Sequence, residues 1–362
     1  MKILQVASSL FGSGGIEKSV LHLAGGLRER GHEVHVAAWR DTWVWRQAQA
    51  QGFETVLLRV RKQQDWAALG PYARLLRRGG YDIVNTHFSP DYIVPAVAAR
   101  LVRQRGCVLT RYFVGPWRGF KRRLYGGMLY PKIIAVSDAV RCALLSGGLA
   151  ESQVATVYGG VPVRAQAVAP APLREELGLP ADSVLIGIVA RLAPEKGHRF
   201  LLEAMRDVAP DAVCLVAGQG PEEAALRAYV AANGLADRVR FLGWRLDSDA
   251  IIAALDIVVQ PSLWEEACSL SIMEAMSLGK PLVATHSGGN AELIAQEESG
   301  LLVAKGDVPA LAEALNRLAR DPGLCGRMGE AGRQRQAERF SVEAMAADTE
   351  RIYLETLESC PH

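Results

Sequence analysis

The sequence predicts an α/β fold: two doubly wound domains facing each other across a cleft. Short β-rich runs alternate with amphipathic helical stretches, the alternation restarts midway, and an Ala/Pro-rich stretch without periodicity separates the two series. The chain has 362 residues, 49% of them hydrophobic and 22% charged, which is length for two domains and apolar material for both cores. That composition excludes disordered, collagenous and coiled-coil chains.

The expected strands of the first half are 3–7, 34–38, 55–58, 82–86, 108–111 and 133–136. Between the first two, Ile16, Val20, Leu21, Ala24 and Leu27 recur at helical spacing, and Gly31 closes the helix. The second half repeats the rhythm at 185–190, 213–217, 239–242, 257–259, 282–284 and 301–303. Its first helix carries Phe200, Leu201, Ala204, Met205 and Val208. Strands alternating with helices imply parallel sheets with right-handed crossovers. The joint falls in 163–172, so domains are expected at 1–163 and 164–340. A last helix over 341–357 takes Ser341 as its N-cap and carries Glu343 and Glu350 on its surface. Ligands of such sheets sit beyond the carboxyl ends of the strands, which makes the cleft the expected site.

No apolar run approaches the roughly 18 residues of a membrane span. The opening Met1-Lys2-Ile3-Leu4-Gln5-Val6-Ala7 is superficially like a signal peptide, but Gln5 interrupts it and no small-residue cleavage site follows. A first strand is expected there. The six cysteines are scattered without C-x-x-C spacing, which points to reduced thiols, a cytoplasmic location and no structural zinc. The net charge of +2 conceals an asymmetry: 1–163 holds 22 Lys and Arg against 10 Asp and Glu, whereas 164–362 holds 19 against 29. The first half therefore faces something anionic, such as a lipid surface, a phosphorylated substrate or nucleic acid.

Three motifs could carry chemistry. Gly12-Ser13-Gly14-Gly15 lies between a strand and a helix, where backbone amides approach an anion. It matches neither the dinucleotide fingerprint nor a Walker A loop, and a tight strand-to-helix turn accounts for it equally. At the corresponding junction of the second half, Arg191 and Lys196 in Arg191-Leu-Ala-Pro-Glu-Lys196-Gly197-His198 form a cationic clamp suited to a diphosphate, a solvated loop being the alternative. The most specific pattern is Pro261-Ser-Leu-Trp-Glu-Glu266, with Glu274 eight residues after Glu266 and Gly288-Gly289-Asn290-Ala-Glu292 downstream. Glu274 falls inside an apolar helical run, where a carboxylate needs a partner, and vicinal hydroxyls of a ribose or sugar suit it.

The Arg191/Lys196 clamp, Glu266-x7-Glu274 followed by Ala-Met, and Gly288-Gly289-x-x-Glu292 together resemble glycosyltransferase family 4, of the GT-B fold. The resemblance extends over nearly the whole chain, including Ile134-Ala-Val-Ser137, Tyr158-Gly-Gly160-Val161 and a last helix, 341–362, that crosses back onto the first domain. It implies that Arg191 and Lys196 hold the donor diphosphate, that Glu274 holds the ribose hydroxyls, and that Glu266 sits near the transferred sugar. It further implies that the Gly14 and Gly15 amides approach the phosphate from the acceptor-side first domain. Gly243 and Arg245 fall where the family reads the base, largely through backbone, and Asn290 falls among the donor contacts. Two positions depart from the family: Asn85-Thr86-His87 keeps only the second histidine of His-x-His, and Ala267-Cys268-Ser269 replaces Gly/Pro-Phe-Gly. His87 is thus a candidate contact to the sugar or acceptor, or a buried structural imidazole.

Asp247-Ser248-Asp249 matches the D-x-D of metal-dependent transferases, but it directly precedes a helical run and reads as a helix cap, so no metal and no other cofactor is expected. The implied activity is transfer of a sugar, with retention, from a nucleotide-diphosphate donor to a hydroxyl of a glycan or lipid-linked saccharide, in bacterial envelope polysaccharide or lipopolysaccharide assembly. The competing readings are a nucleotide-sugar epimerase of the same fold and a non-catalytic nucleotide-sugar-binding scaffold. Nucleic acid is not expected as a partner, because the basic half shows no reader motif.

Residues 111–132 combine six cations (Arg111, Arg118, Lys121, Arg122, Arg123, Lys132) with six aromatics (Tyr112, Phe113, Trp117, Phe120, Tyr125, Tyr130) and no acid. This composition fits either a core-packing loop with a basic face or peripheral contact with an anionic membrane on its cytoplasmic side.

Overall fold

The structure is a computed structural model and describes residues 1–8, 14–58, 60, 62–164 and 168–359. It divides into two compact units, Met1–Val161 with Phe340–His362, and Pro162–Arg339.

The first unit is built on seven parallel strands: β1 (Lys2–Val6), β2 (Glu33–Ala38), β3 (Glu54–Leu57), β4 (Ile83–Thr86), β5 (Gly106–Arg111), β6 (Lys132–Ala135) and β7 (Val154–Thr156). Their order is β3-β2-β1-β4-β5-β6-β7, the doubly wound pattern in which the chain runs outward to one edge and then to the other. Helices cover both faces of such a sheet, so its central strands read as nearly continuous apolar runs: Ile3, Leu4 and Val6 are all completely buried. Residues Met345, Ala346, Ile352 and Tyr353 of the last helix, Val342–Ser359, complete this core. Ser341 caps that helix as expected, its Oγ accepting from the Ala344 amide at 3.1 Å. Glu350 is not simply a surface residue. It takes Arg30 Nε at 2.8 Å and His32 Nε2 at 2.7 Å, pinning the last helix to the turn after Gly15–Glu29. The two helices touch at Gly26, where a Cβ would stand 2.8 Å from Ala346 Cβ.

The second unit carries six parallel strands: β8 (Val184–Val189), β9 (Ala212–Ala217), β10 (Val239–Gly243), β11 (Ile257–Gln260), β12 (Leu282–Thr285) and β13 (Leu301–Val303), ordered β10-β9-β8-β11-β12-β13. Ile186, Ile188, Cys214 and Val259 fill its centre, with Leu201, Met205, Leu311 and Leu315 packing from the helices.

Two features depart from expectation. Strand β7 is not among the expected strands: its Val-Ala-Thr, only partly buried at a sheet edge, offers no apolar run to mark it. The 163–172 joint is not a free linker: Arg164 pairs with Asp249, and the Ala171 amide donates to the Ala250 carbonyl at 2.9 Å. Residues 165–167 of that joint lie outside the described residues.

Candidate functional site

In the second unit, the loops that follow β8, β11 and β12 converge at the carboxyl end of the sheet. Gly197, at φ +71°, makes the first convergence. A side chain there would collide with the Pro261 carbonyl, so only glycine lets the β8 loop lie against the β11 loop. The Leu263 amide then donates to the Glu195 carbonyl at 2.9 Å. The result brings Lys196 Nζ to 2.6 Å from Glu266 Oε1, and Ser262 Oγ donates to the same oxygen at 2.8 Å.

The Lys196 and Glu266 side chains are 24% and 17% exposed, so this ion pair is partly desolvated and its attraction is stronger than that of a surface pair. The β12 loop closes from the other side. The Gly289 amide donates to the Glu266 carbonyl at 2.8 Å, and the Glu266 amide to Ser287 Oγ at 3.3 Å. Gly288, at φ +48°, is forced to be glycine because a Cβ would strike that same carbonyl.

Arg191 reaches its neighbour Glu195 and is 63% exposed, an open pair of small net value that leaves the guanidinium able to swing to an anion. Glu274 is buried in the helix Leu270–Ser277, which Ser271 Oγ ties to the end of β8 through the Val189 carbonyl at 3.2 Å. Asn290 is completely buried, and neither its Nδ2 nor its Oδ1 has a hydrogen-bond partner, an orphaned amide directly after the two glycines. Such a group is costly unless something else satisfies it.

Gly243 ends β10 at φ +66°, and its carbonyl accepts from the Gly218 amide at 2.8 Å. Arg245 is clamped by Asp247, at 2.9 and 2.7 Å, and by Glu176, at 2.9 Å; the carboxylates raise its pKa further. The cap expected of Asp247 and Asp249 is therefore corrected. Asp247 occupies the N-cap position of Ser248–Ala254 but makes no capping bond, because its carboxylate is engaged by Arg245 while Asp249 takes Arg164. No group of three or more His, Cys, Asp or Glu poised for a metal occurs among the described residues.

The remaining candidates lie in the first unit. Gly14 is the N-cap of Gly15–Glu29, with extended backbone, and Gly15 is that helix's first residue; Gly12 and Ser13 of the motif lie outside the described residues. His87 follows β4 and is completely buried. Its Nε2 pairs with Gln5 Oε1 at 2.7 Å and its Nδ1 with Tyr112 Oη at 3.2 Å. Burial pushes its pKa down to about 3, so the ring is neutral at physiological pH.

Two groups escaped the sequence reading. Asp91 is completely buried, accepts from the Ser8 amide at 3.1 Å and from Ser8 Oγ, and is pushed up to about 7 by burial. Nothing in the sequence around it marks it out. His198 is buried beside Lys196 with neither ring nitrogen partnered; burial first, and Lys196 second, lower its pKa to about 4. His198 gives a prediction. Its folded pKa lies below the unfolded value near 6.5, so the unfolded chain binds the proton first and stability falls as pH drops from about 6.5 toward 4. Between pH 7 and 5 this one group costs about 2 kcal/mol. His87 acts in the same direction, while Asp91, with a raised pKa, loses its contribution as pH rises through about 7 and partly offsets them. His198→Leu should show a smaller loss of unfolding free energy than the parent between pH 7 and 5 in urea titrations. Parallel losses in the two proteins would refute the assignment.

Of residues 111–132, Trp117, Tyr125 and Tyr130 are core residues, Arg111 lies over the Phe113 and Trp117 rings at 5.3 and 5.0 Å, and Lys132 pairs with Glu355. Phe113, Phe120 and Met128 remain exposed together with Arg118, Lys121, Arg122 and Arg123.

Two doubly wound parallel-sheet units, of seven and six strands, have the architecture of the GT-B class, and the second carries a cation–carboxylate cluster at the carboxyl end of its sheet. Residues 13–164 match the family model Glycosyltransferase Family 4, and 171–335 match Glycosyl transferases group 1. The chain is 30% identical over 282 residues to the UDP-Gal:alpha-D-GlcNAc-diphosphoundecaprenol alpha-1,3-galactosyltransferase of Escherichia coli, covering 72% of each protein. It is 37% identical over 194 residues to the 2-deoxystreptamine glucosyltransferase of Streptomyces kanamyceticus, and this match spans 51% of the chain and half of that relative's length (50%). The fold matches the crystal structure of Anabaena HepE in complex with UDP and glucose, with a TM-score of 0.86 at 24% identity, over 98% of this chain and 100% of that one. The chain belongs to glycosyltransferase family 4.

Proposed function

We propose that the protein transfers a sugar, with retention of configuration, from a nucleotide-diphosphate donor to a hydroxyl of a glycan or lipid-linked saccharide in bacterial envelope assembly. The observation that carries this reading is the Lys196–Glu266 pair, which sets a cation and a carboxylate 2.6 Å apart at the carboxyl end of the second sheet. Lys196, with Arg191 swinging from Glu195, neutralises the departing diphosphate. Glu274 and the orphaned Asn290 amide receive hydroxyls or phosphate oxygens of the donor, and the Gly14 and Gly15 amides offer a second anion site on the first unit. Gly243 and the Arg245 backbone take the base, since the Arg245 side chain is committed to Asp247 and Glu176. UDP-sugars lead the candidate donors, because the Escherichia coli relative is named for UDP-Gal and HepE is seen with UDP. Both aspartates of the D-x-D are held by arginines, so activity is expected to persist in EDTA.

The test is incubation with a panel of UDP-, GDP- and ADP-sugars, with and without a lipid-linked saccharide. Release of nucleoside diphosphate that depends on the saccharide supports the transferase. An epimerised donor formed without acceptor replaces it with the epimerase, and neither product leaves a binding scaffold.

The exposed Phe113, Phe120 and Met128, in the same stretch as the exposed Arg118, Lys121, Arg122 and Arg123, support peripheral docking on an anionic membrane, where each basic side chain gains about 1 kcal/mol. No helix among the described residues is long and apolar enough to cross a membrane. Charge reversal at Lys121, Arg122 and Arg123 should weaken sedimentation with phosphatidylglycerol vesicles, and salt should weaken it for the parent. Equal retention on neutral and anionic vesicles, or none on either, would remove this part of the reading.

A further inference from the structure

Glu266 accepts both of its side-chain bonds on one oxygen. Lys196 Nζ and Ser262 Oγ both approach Oε1, at 2.6 and 2.8 Å, while Oε2 takes neither. Behind Ser262 stands Gln260, the last residue of β11, whose Nε2 donates to Ser262 Oγ across 3.0 Å. Gln260 and Ser262 are 2% and 0% exposed. The strand that carries Gln260 is otherwise Ile257, Val258 and Val259, all buried, and an amide in that setting is costly unless it is hydrogen-bonded. A hydroxyl that accepts from Gln260 has its own proton left to give, so the amide fixes which way Ser262 donates. The Ser262 backbone is held as well, its carbonyl accepting from Thr285 Oγ1 at 2.6 Å. The chain of bonds therefore runs from the sheet interior to a single oxygen of the carboxylate.

We propose that Gln260 and Ser262 form a positioning relay that, with Lys196 on Oε1, turns Glu266 so that Oε2 receives a hydroxyl of the transferred sugar. This rests on the donor reading above. The relay ends in one bond, from Ser262 Oγ to Glu266 Oε1, and Lys196 keeps its own bond to that oxygen when Gln260 is replaced, so the relay acts on the sugar and not on the nucleoside diphosphate. Gln260 touches no substrate and works only through Ser262 and Glu266.

The experiment is calorimetric titration of the parent, Gln260→Leu, Ser262→Ala and the double variant. Each is titrated with UDP-glucose, UDP-galactose, UDP-N-acetylglucosamine and GDP-mannose, and with UDP and GDP. Leucine keeps the volume in an apolar strand, and the thermal midpoint checks that each variant is folded. For the nucleotide sugar that the parent binds, Gln260→Leu should raise Kd about tenfold, the scale of losing one sugar-hydroxyl bond to the misaligned Glu266 carboxylate, while Kd for the corresponding nucleoside diphosphate changes by less than about twofold. The double variant should bind no more weakly than Ser262→Ala alone, since Gln260 has no route except through Ser262. Unchanged nucleotide-sugar affinity in Gln260→Leu overturns the relay, as does an equal loss for sugar and diphosphate, which marks a merely structural role. A parent protein that binds no nucleotide sugar overturns the donor reading itself, and that result is seen before any variant is compared.

Discussion

Lys196→Ala is expected to lower kcat by about 10²–10³-fold, the usual scale for losing one preorganised charge opposite a developing anion. Two effects of the substitution add. The leaving diphosphate loses the cation paired with Glu266, and Glu266, only 17% exposed, loses the partner that balances its charge. Ser262 still donates to Glu266 Oε1, so the carboxylate stays in place and the deficit falls on catalysis more than on folding. Arg191→Ala removes a more exposed cation and should act in the same direction. Initial rates at saturating donor measure the effect, and a kcat within about threefold of the parent would exclude Lys196 from charge neutralisation.

Glu274→Ala should abolish donor affinity while leaving the fold in place. A carboxylate that accepts two hydroxyl bonds contributes on the order of 1.5–3 kcal/mol for each, so Kd should rise about 10²–10⁴-fold. The helix Leu270–Ser277 keeps its buried Ile272, Met273, Ala275 and Met276, which hold it against the sheet without the carboxylate. Glu274→Gln keeps the shape and one acceptor oxygen and should recover part of the affinity. An unchanged donor Kd in folded Glu274→Ala protein would sink the ribose assignment.

Local signals carried well from sequence to structure. Ser341 caps the last helix because a cap depends on the next three residues alone, and β8 and β13 are legible because buried parallel strands are apolar along their length. Long-range pairing was not legible. Asp247 has the right position for a cap, but Arg245, itself anchored by Glu176 from 69 positions away, captures its carboxylate. The Lys196–Glu266 pair spans 70 positions, and only the resemblance to a family brought the two residues together before the structure did. Composition was equally mute about residues 111–132, since Trp117, Tyr125 and Tyr130 in a core and Phe120 on a surface are the same kind of residue in a string. The unpartnered nitrogens of His198 and the amide of Asn290 have no signature at all in one dimension.

On the proposed reading, the second unit holds a nucleotide-diphosphate sugar through Lys196, Glu266 and Glu274. Thermal or urea unfolding of the parent protein with UDP-, GDP- and ADP-sugars measures it most directly. One donor at about 100 times its Kd should add roughly 2.7 kcal/mol of stability, and the gain should vanish in Glu274→Ala. No stabilisation of the parent by any nucleotide sugar, or the same stabilisation in Glu274→Ala, would contradict it.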